Sequence, residues 1–169
     1  EIVLDLARSR SVKRVVKSKS MVSEETELNQ ALISGGLDVV ESDLGEYIIQ
    51  LAGETPSHII APAVHKTREQ IGQLLADKLG VPMTDDPVEM TATARSALRD
   101  VFLQSEMGVS GVNFGVASTG SLAIVTNEGN ASLTVTAPRI HVAMMGIERV
   151  VPTLDDLAVM LLVLARSAT

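Results

Sequence analysis

Apolar runs alternate with segments of helical spacing along the first half of the chain. Short apolar runs at 11–18 and 37–42 are typical of buried strands. A helix is predicted between them over 24–34, with Ser23 as its N-cap. Another helix is predicted over 45–53. This alternation of strand and helix is typical of a parallel sheet covered by helices.

A third strand is predicted over 57–63 and is followed by two helices. The helix over 66–80 carries its apolar residues at helical spacing on one face. The next helix is predicted to run to about Gln104. Its start is indicated by Asp86 at the N-cap and by Pro87 at the first helical position, where proline is well tolerated.

The second half changes to short apolar runs joined by short links, which favour antiparallel or hairpin pairing. These runs are predicted to be strands over 111–119, 121–127, 131–137 and 139–146. The link TNEGN, residues 126–130, is interpreted as a hairpin loop in which Gly129 takes a positive φ. Ser132, Thr134 and Thr136 alternate with apolar residues, which predicts a strand with one polar face.

The last segment predicts an amphipathic helix. Thr153 and Asp156 have the spacing of a capping box. The apolar stripe of this helix has the helical i, i+3, i+4, i+7 spacing and comprises Leu154, Leu157, Ala158, Leu161, Leu162 and Ala165. The whole pattern predicts a single α/β domain over residues 1–169. Because periodic segments reach both ends, we expect this domain to be a fragment of a longer protein.

Composition limits the classes of protein and of site. Aromatic residues make up only 2% of the chain, so the core is aliphatic and few rings are available to stack on bases. The absence of cysteine excludes disulfides and cysteine-ligated clusters within the chain, and the three histidines lack close metal-ligand spacing. No apolar segment approaches the roughly 18 residues of a membrane span, so we expect a cytoplasmic location.

The net charge of −7 is unevenly distributed, with a basic segment over residues 1–20 in an otherwise acidic chain. A basic run can indicate nucleic-acid binding. Here the basic residues are explained by a helix C-terminus, where cations are favourable, and by a solvated strand. No nucleic-acid partner is therefore expected.

Candidate chemistry follows the strand ends, because open α/β sheets bind ligands beyond the carboxyl ends of their strands. Lys19 and Ser20 follow the first strand, and a cation beside hydroxyls and free N–H groups suits a carboxylate or a phosphate. His65 and Lys66 follow the third strand, where His65 could act as a general base. The alternatives are a solvated strand end and a surface histidine. His141 lies between apolar residues and is interpreted as a core or helix-covered histidine.

The segment ASTGSLAIVTNEGN, residues 117–130, allows two interpretations. Locally it is a hairpin, with a tight turn over 118–121. At strand ends it could instead form the wall of a ligand site, because backbone amides in such a turn can hold an anion. The phosphate-binding motif GxxxxGK[ST], the dinucleotide motif GxGxxG and the hydrolase motif GxSxG are all absent.

Four stretches of the chain resemble the lactate-utilisation (LUD) domain family, and most closely its iron–sulfur branch. They are VVKSKSMVSEE, DLGEYIIQLAGETPSHIIAPAVHKTRE, GVNFGVASTGSLAIVTNEGN and HVAMMGIERVVPTLDDL. The resemblance implies an α/β fold, a mixed sheet flanked by helices like that of the sugar-phosphate isomerase and CoA-transferase superfamily. It also implies a part in the cytoplasmic oxidation of L-lactate to pyruvate, with other lactate-utilisation subunits as partners.

The resemblance further implies [4Fe–4S] clusters held by cysteine motifs downstream of the domain. This chain has no cysteine, so we expect no cofactor within it and place the clusters in the missing C-terminal region. The family commonly has an acidic residue where this chain has Ser118, in a pattern like Glu-Thr-Gly-Thr. Related CoA transferases use a glutamate as the nucleophile. Without that carboxylate, we expect the turn at Ser118 to bind a ligand rather than to transfer an acyl group.

Three functions remain open from the sequence, and no catalytic residue is assigned. The first is a LUD domain of an iron–sulfur electron-transfer protein that binds a small anionic ligand or partner subunits, with no activity when isolated. The second is an isomerase- or transferase-like enzyme acting on a sugar phosphate or a CoA ester, with Glu128 or His65 as base. The third is an assembly module without a ligand. The candidate binding residues are Lys19, Ser20, His65, Lys66, Asn113, Ser118, Thr119, Asn127, Glu128 and Asn130.

Overall fold

Helices and short strands alternate in the computed structural model, which describes residues 1–54, 62–126 and 128–167. The helices are α1 (Ile2–Ser9), α2 (Met21–Glu25), α3 (Leu28–Ser34), α4 (Leu44–Ala52), α5 (Arg68–Leu79), α6 (Pro87–Gln104), α7 (Asn130–Thr136) and α8 (Leu154–Ser167). The strands are β1 (Arg14–Lys17), β2 (Asp38–Glu41), β3 (Met107–Gly111), β4 (Phe114–Val116), β5 (Ser121–Ala123), β6 (Ile140–Met144) and β7 (Val150–Val151). The predicted mixed α/β fold with helices on the faces of the sheet is confirmed.

The central sheet has the strand order β2-β1-β3-β6, and every neighbouring pair in it is parallel. Successive residues of a strand point to opposite faces. Val15 therefore packs with Leu32 of α3 in one apolar cluster. Val16 packs with Tyr47 of α4 and Phe102 of α6 in another. Both faces of this sheet are thus covered by helices, as parallel sheets require.

A second, smaller sheet has the order β5-β4-β7, with β4 and β5 antiparallel and β4 and β7 parallel. Phe114, Val116 and Val151 form its apolar cluster, and Leu157 and Leu164 of α8 pack against that cluster. The remaining apolar stripe predicted for α8 is largely solvent-exposed, with Leu162 74% exposed. The helix itself is confirmed, and Thr153 and Asp156 form its capping contacts.

Local signals for several elements are confirmed. The strands β1, β2 and β6 and the helices α4, α5 and α6 lie within or close to their predicted ranges. Asp86 caps α6 by accepting a hydrogen bond from the amide of Val88 at 2.7 Å, and Pro87 is the first helical residue. The predicted strand over 57–63 falls mainly on residues outside the described ranges.

The helix predicted over 24–34 is wrong as a single element. Glu27 takes a left-handed conformation with φ of 51°, which separates α2 from α3. The N-cap is Ser20 rather than Ser23, because the Oγ of Ser20 accepts the hydrogen bond that the amide of Ser23 donates. The helix therefore begins closer to the end of β1 than predicted.

The strand predicted over 131–137 is also wrong, because this segment forms α7. Gly129 has the expected positive φ, but it precedes a helix rather than closing a hairpin. The threonine hydroxyls that suggested a polar strand face donate to backbone carbonyls four residues earlier, Thr134 to Asn130 and Thr136 to Ser132. This bonding lets threonine remain within a helix.

Pairing in the second half is only partly antiparallel. The run predicted over 111–119 divides between the end of β3 and β4, and the β3 residues before Gly111 were not predicted as strand. The hairpin between β4 and β5 is confirmed. In contrast, β6 pairs in parallel with β3, because α7 occupies the connection between the two sheets.

No helix in the described part of the chain combines the length and hydropathy needed to span a membrane.

Candidate functional site

The central sheet has a topological switch point between β1 and β3. Open α/β sheets bind ligands in the crevice that forms at such a point. From β1 the chain proceeds to β2 on one side, and β3 then lies on the other side. The ends of β1 and β3 approach closely, since a Cβ added to Gly111 would lie 3.0 Å from the Oγ of Ser20. The amide of Ser18 also donates to the carbonyl of Val109 at 2.9 Å. Glycine at position 111 therefore permits this close approach.

A cleft of about 600 Å³ opens at these strand ends, between the central sheet and the smaller one. This volume is within the range of small-molecule sites. Five of the ten predicted binding residues line the cleft, namely Lys19, Ser20, Asn113, Glu128 and Asn130. The structure thus brings together residues that are more than a hundred positions apart in the sequence.

Three of these residues offer polar groups with defined roles in the cleft wall. The Lys19 side chain is 39% exposed and supplies a cation. The Ser20 Oγ accepts from the amide of Ser23 at 3.4 Å, so its own proton is available to a ligand. The Asn113 Oδ1 accepts from the amide of Val125 at 2.8 Å, which leaves its Nδ2 as a donor without an acceptor among the described residues.

The far wall of the cleft comes from the residues around the start of α7. Asn130 is the first residue of α7, and its Oδ1 lies 3.4 Å from the hydroxyl of Thr126. Glu128 is exposed at the cleft wall. Asn127 falls outside the described residues. This side of the cleft can accept a hydrogen bond from a ligand hydroxyl.

Carboxylates outnumber cations around the cleft. Among the described residues, its acidic lining residues are Glu25, Asp43, Glu128 and Glu148, whereas its cations are Lys19 and Arg149. Arg149 lies beside Glu148, with 3.5 Å between Nε and Oε1. This balance disfavours ligands with several phosphate charges and leaves Lys19 to pair with a single carboxylate.

A buried carboxylate, Glu46, lies behind Lys19. Glu46 is in the first turn of α4 and is 5% exposed, and its Oε1 is 3.6 Å from the Nζ of Lys19. Burial raises the pKa of the Glu46 carboxyl, and the nearby Glu41 and Glu24 raise this pKa further. Lys19 acts in the opposite direction.

A second buried pair joins β1 to β2 next to this carboxylate. The Nζ of Lys17 is 2.8 Å from the Oε1 of Glu41, and the two side chains are 1% and 6% exposed. Asn29 donates to the same oxygen at 2.6 Å. Glu41 and Glu46 were not predicted as site residues, and Lys17 at the end of the first strand was not among the predicted binding residues. The available signal was a charged residue at the end of each of two apolar strands.

The other predicted site residues lie elsewhere. His65 and Lys66 contact Glu54, at 2.7 Å from its Oε2 and 2.6 Å from its Oε1, and these contacts lower the pKa of Glu54. Ser118 and Thr119 lie in an exposed turn after β4. Within the described residues, none of these four lines the cleft. Their role in binding stays a prediction.

His141 lies in β6, with its Nε2 2.8 Å from the Oγ of Ser110 on β3. Ser110 is fully buried, and burial lowers the pKa of His141. The pair joins two strands within the sheet and does not line the cleft. His141 is half-buried in β6 rather than part of the core, so its interpretation as a core or helix-covered histidine is only partly met.

The donor set of this chain does not fit an iron–sulfur cluster. The sequence has no cysteine. Among the described residues, no group of three or more His, Asp or Glu side chains is arranged to hold a metal ion. No step of the chemistry is therefore assigned to a cluster within these residues.

Comparison with known proteins decides the family. The model of the LUD domain matches residues 1–169. The chain belongs to the LUD domain family. No solved structure matches this LUD domain, so its likeness to the isomerase and CoA-transferase superfamily stays a prediction.

Relatives of this LUD domain share its sequence over nearly its whole length. Lactate utilization protein B of Bacillus thuringiensis (strain Al Hakam) is 53% identical over 166 residues, which cover 98% of this chain and 35% of that protein. The protein of the same name from Bacillus pumilus (strain SAFR-032) is 54% identical over 164 residues, or 96% of this chain and 35% of that protein. The chain thus spans about a third of the length of these curated relatives.

Proposed function

We propose that this LUD domain takes part in lactate utilisation and that its cleft binds a small monocarboxylate, such as L-lactate or pyruvate. The observation that carries the proposal is the meeting of Lys19, Ser20 and Asn113 around one cleft at the β1–β3 crevice. The identity of 53% to Lactate utilization protein B supports the substrate class.

The polar groups of the cleft suit each part of such a ligand. The Lys19 ammonium would form a charge-assisted hydrogen bond with the ligand carboxylate. The Ser20 hydroxyl and the Asn113 Nδ2 would donate to the carboxylate or to the keto oxygen. Asn130 or Glu128 would accept from the hydroxyl of lactate. These groups bind and orient a hydroxy acid, and none of them provides a redox centre.

The charge of the cleft favours a small ligand with one negative charge. Four carboxylates around two cations would repel the phosphates of a CoA ester or a sugar phosphate. The base required by an isomerase or transferase would have to be Glu128, because His65 contacts Glu54 outside the cleft. Monocarboxylate binding is therefore the function that this cleft supports best.

The larger protein would supply the oxidation itself. About two thirds of the length of the relatives lies outside the matched residues. We place the [4Fe–4S] clusters of an electron-transfer protein in that part, together with contacts to other lactate-utilisation subunits in the cytoplasm. The LUD domain alone is expected to bind lactate without oxidising it.

Isothermal titration calorimetry of the 169-residue chain with pyruvate and L-lactate tests the proposal. Both ligands are expected to bind, and Lys19→Gln is expected to weaken binding at least about tenfold, because it removes a charged hydrogen bond. The matched control is Lys78→Gln on α5, which changes the net charge equally but lies outside the cleft. Binding in the control should equal that of the unchanged chain.

Titrations with CoA and a sugar phosphate separate the alternatives. Tighter binding of either than of pyruvate would overturn the proposal in favour of an isomerase- or transferase-like enzyme. Failure of all four ligands to bind would favour an assembly module.

A further inference from the structure

One oxygen of the buried Glu46 carboxylate has no hydrogen-bond donor within the part of the chain that the structure describes. Its Oε1 is inaccessible to solvent and accepts no hydrogen bond from the described residues. The Nζ of Lys19 lies 3.6 Å away, which is longer than an N–H···O hydrogen bond. An ionised carboxylate that is buried without a close hydrogen-bond donor has a large desolvation free energy. Protonation is the usual way in which proteins avoid this cost.

Most of the charges facing Glu46 are negative. Glu41 at the end of β2, Asp43 before α4 and Glu24 on α2 all act on this carboxyl, and Lys19 after β1 opposes them. Lys17 at the end of β1 pairs with Glu41, with 2.8 Å between its Nζ and the Glu41 Oε1. Lys19 is therefore the cation that favours the ionised form of Glu46 against burial and these carboxylates.

The same ammonium lies at the wall of the cleft, where it is partly exposed. A carboxylate bound in the cleft would compete with Glu46 for Lys19. When Lys19 moves to the ligand, Glu46 loses the positive charge that opposes its burial. An anion would also be entering a cleft already rich in carboxylates.

We propose that Glu46 takes up one proton from solvent when a monocarboxylate binds Lys19. The new bond is the O–H bond of Glu46, the ligand stays ionised, and Lys19 keeps its charge. The cleft region thereby accepts an anion and a proton together and gains no net charge. This inference rests on the proposed carboxylate binding and assigns Glu46 as a positioning residue that acts through Lys19.

Calorimetric titration with pyruvate in two buffers that carry no competing phosphate or carboxylate, such as HEPES and Tris at one pH, measures this proton. The two buffers differ in ionisation enthalpy, so their difference in heat gives the protons taken up per ligand. At neutral pH we expect a measurable uptake of at most one proton per ligand, because the raised pKa of Glu46 rises further when Lys19 moves away from it. Glu46→Gln should abolish the proton uptake per bound pyruvate, whereas Glu69→Gln on α5, outside the cleft, should retain it.

The outcomes distinguish this inference from the proposed function. Pyruvate binding with equal heat in both buffers, or an uptake that persists in Glu46→Gln, would overturn the role of Glu46 and leave carboxylate binding intact. Failure of pyruvate to bind the unchanged chain would overturn both proposals.

Carbonyl-detected NMR of the Glu46 side chain tests the same step without altering Glu46. Its titration midpoint should move to higher pH when pyruvate is added, and also in Lys19→Gln without ligand. A midpoint that does not move in either experiment would overturn the inference, even if Glu46→Gln fails to fold.

Discussion

Lys17 and Glu41 are register partners on the parallel strands β1 and β2, and their side chains form an ion pair with 2.8 Å between Nζ and Oε1. Both side chains are almost fully buried. At the other end of the same two strands, Arg14 and Asp38 are also register partners, and their ion pair is partly exposed to solvent. The two pairs allow a direct comparison of buried and exposed charges within one sheet.

We expect Lys17→Met to lower the free energy of unfolding by about 3–5 kcal/mol, because it leaves the Glu41 charge buried without its cation. The double variant Lys17→Met/Glu41→Leu should recover much of this loss, since it removes both charges. Arg14→Met is the control and should cost at most about 1 kcal/mol. Urea denaturation measures all three, and equal losses for Lys17→Met and Arg14→Met would contradict the expectation.

Two glycines of β3 should respond differently to alanine. A Cβ on Gly108 would overlap the backbone carbonyl oxygen of Thr134 in α7, which has little freedom to move. A Cβ on Gly111 would lie 3.0 Å from the Ser20 Oγ, a side-chain atom that can shift. We expect Gly108→Ala to destabilise the fold by about 1–3 kcal/mol or more.

Gly111→Ala is expected to cost less in stability and to weaken pyruvate binding, because it pushes Ser20 into the cleft. Thermal unfolding and calorimetry of the two variants provide the comparison. A larger loss of stability in Gly111→Ala than in Gly108→Ala would show that α7 is not packed closely on β3.

The N-cap of α6 gives a prediction with a neighbouring control. Asp86 accepts from the Val88 amide at 2.7 Å, and Asp86→Ala should lower the free energy of unfolding by about 0.5–2 kcal/mol. In a domain of this size, each kcal/mol corresponds to a fall in Tm of roughly 2–4 °C. Asp85→Ala removes an adjacent exposed carboxylate that does not cap the helix and should leave Tm nearly unchanged. Similar shifts in both variants would contradict the assignment of the cap.

The raised pKa of Glu46 should make the free energy of unfolding depend on pH. The pKa of Glu46 in the folded chain is raised above its ordinary value of 4.5. The contribution of Glu46 to the free energy of unfolding is therefore complete below pH 4.5 and is lost as the pH rises through the folded pKa. Glu46→Gln should therefore be more stable than the unchanged chain at pH 7, with a gain that shrinks towards pH 4. Urea denaturation across this range measures the gain, and a constant difference would refute the titration.

Glu106 should make the free energy of unfolding depend on pH in the opposite direction to Glu46. Hydrogen bonds from the backbone amides of Arg14 and Lys13 lower the pKa of the Glu106 carboxyl. The Glu106 carboxylate therefore stabilises the fold at pH values above its ordinary pKa. This stabilisation is lost as the pH falls through the pKa of Glu106 in the folded chain. Glu106→Gln should consequently be less stable than the unchanged chain at neutral pH, and the deficit should narrow in acid.

The candidate site was predictable where strand ends were recognised. Lys19 and Ser20 follow the end of β1, which was predicted as a strand. Asn113 follows β3, which was mostly not predicted, and the parallel sheet brings the two strand ends together. His65 and Lys66 also follow a predicted strand, but they contact Glu54 in the structure. Order along the sequence does not specify which strand ends share an edge of the sheet.

Glu46 illustrates what the sequence could not indicate. In the segment DLGEYIIQLAG it reads as an acid in the first turn of a helix, which is a favourable exposed position. Its burial and its distance to Lys19 arise only when α4 packs beside the end of β1. The α7 segment likewise reads as a strand from its alternating threonines, and it becomes a helix where Thr134 packs against Ser42 and β3.

Features that depend on neighbours within a few residues were predictable from the sequence, namely the caps at Asp86 and Thr153, the long helices, and the strands β1 and β2. These follow from hydrogen bonds and periodicities that span one or two turns of chain. The parallel pairing of β3 with β6, the helical state of α7 and the position of Lys19 between the cleft and Glu46 became evident only from the three-dimensional structure. Each of these depends on burial and electrostatic interactions between residues distant in sequence, and such contacts outweigh local propensity.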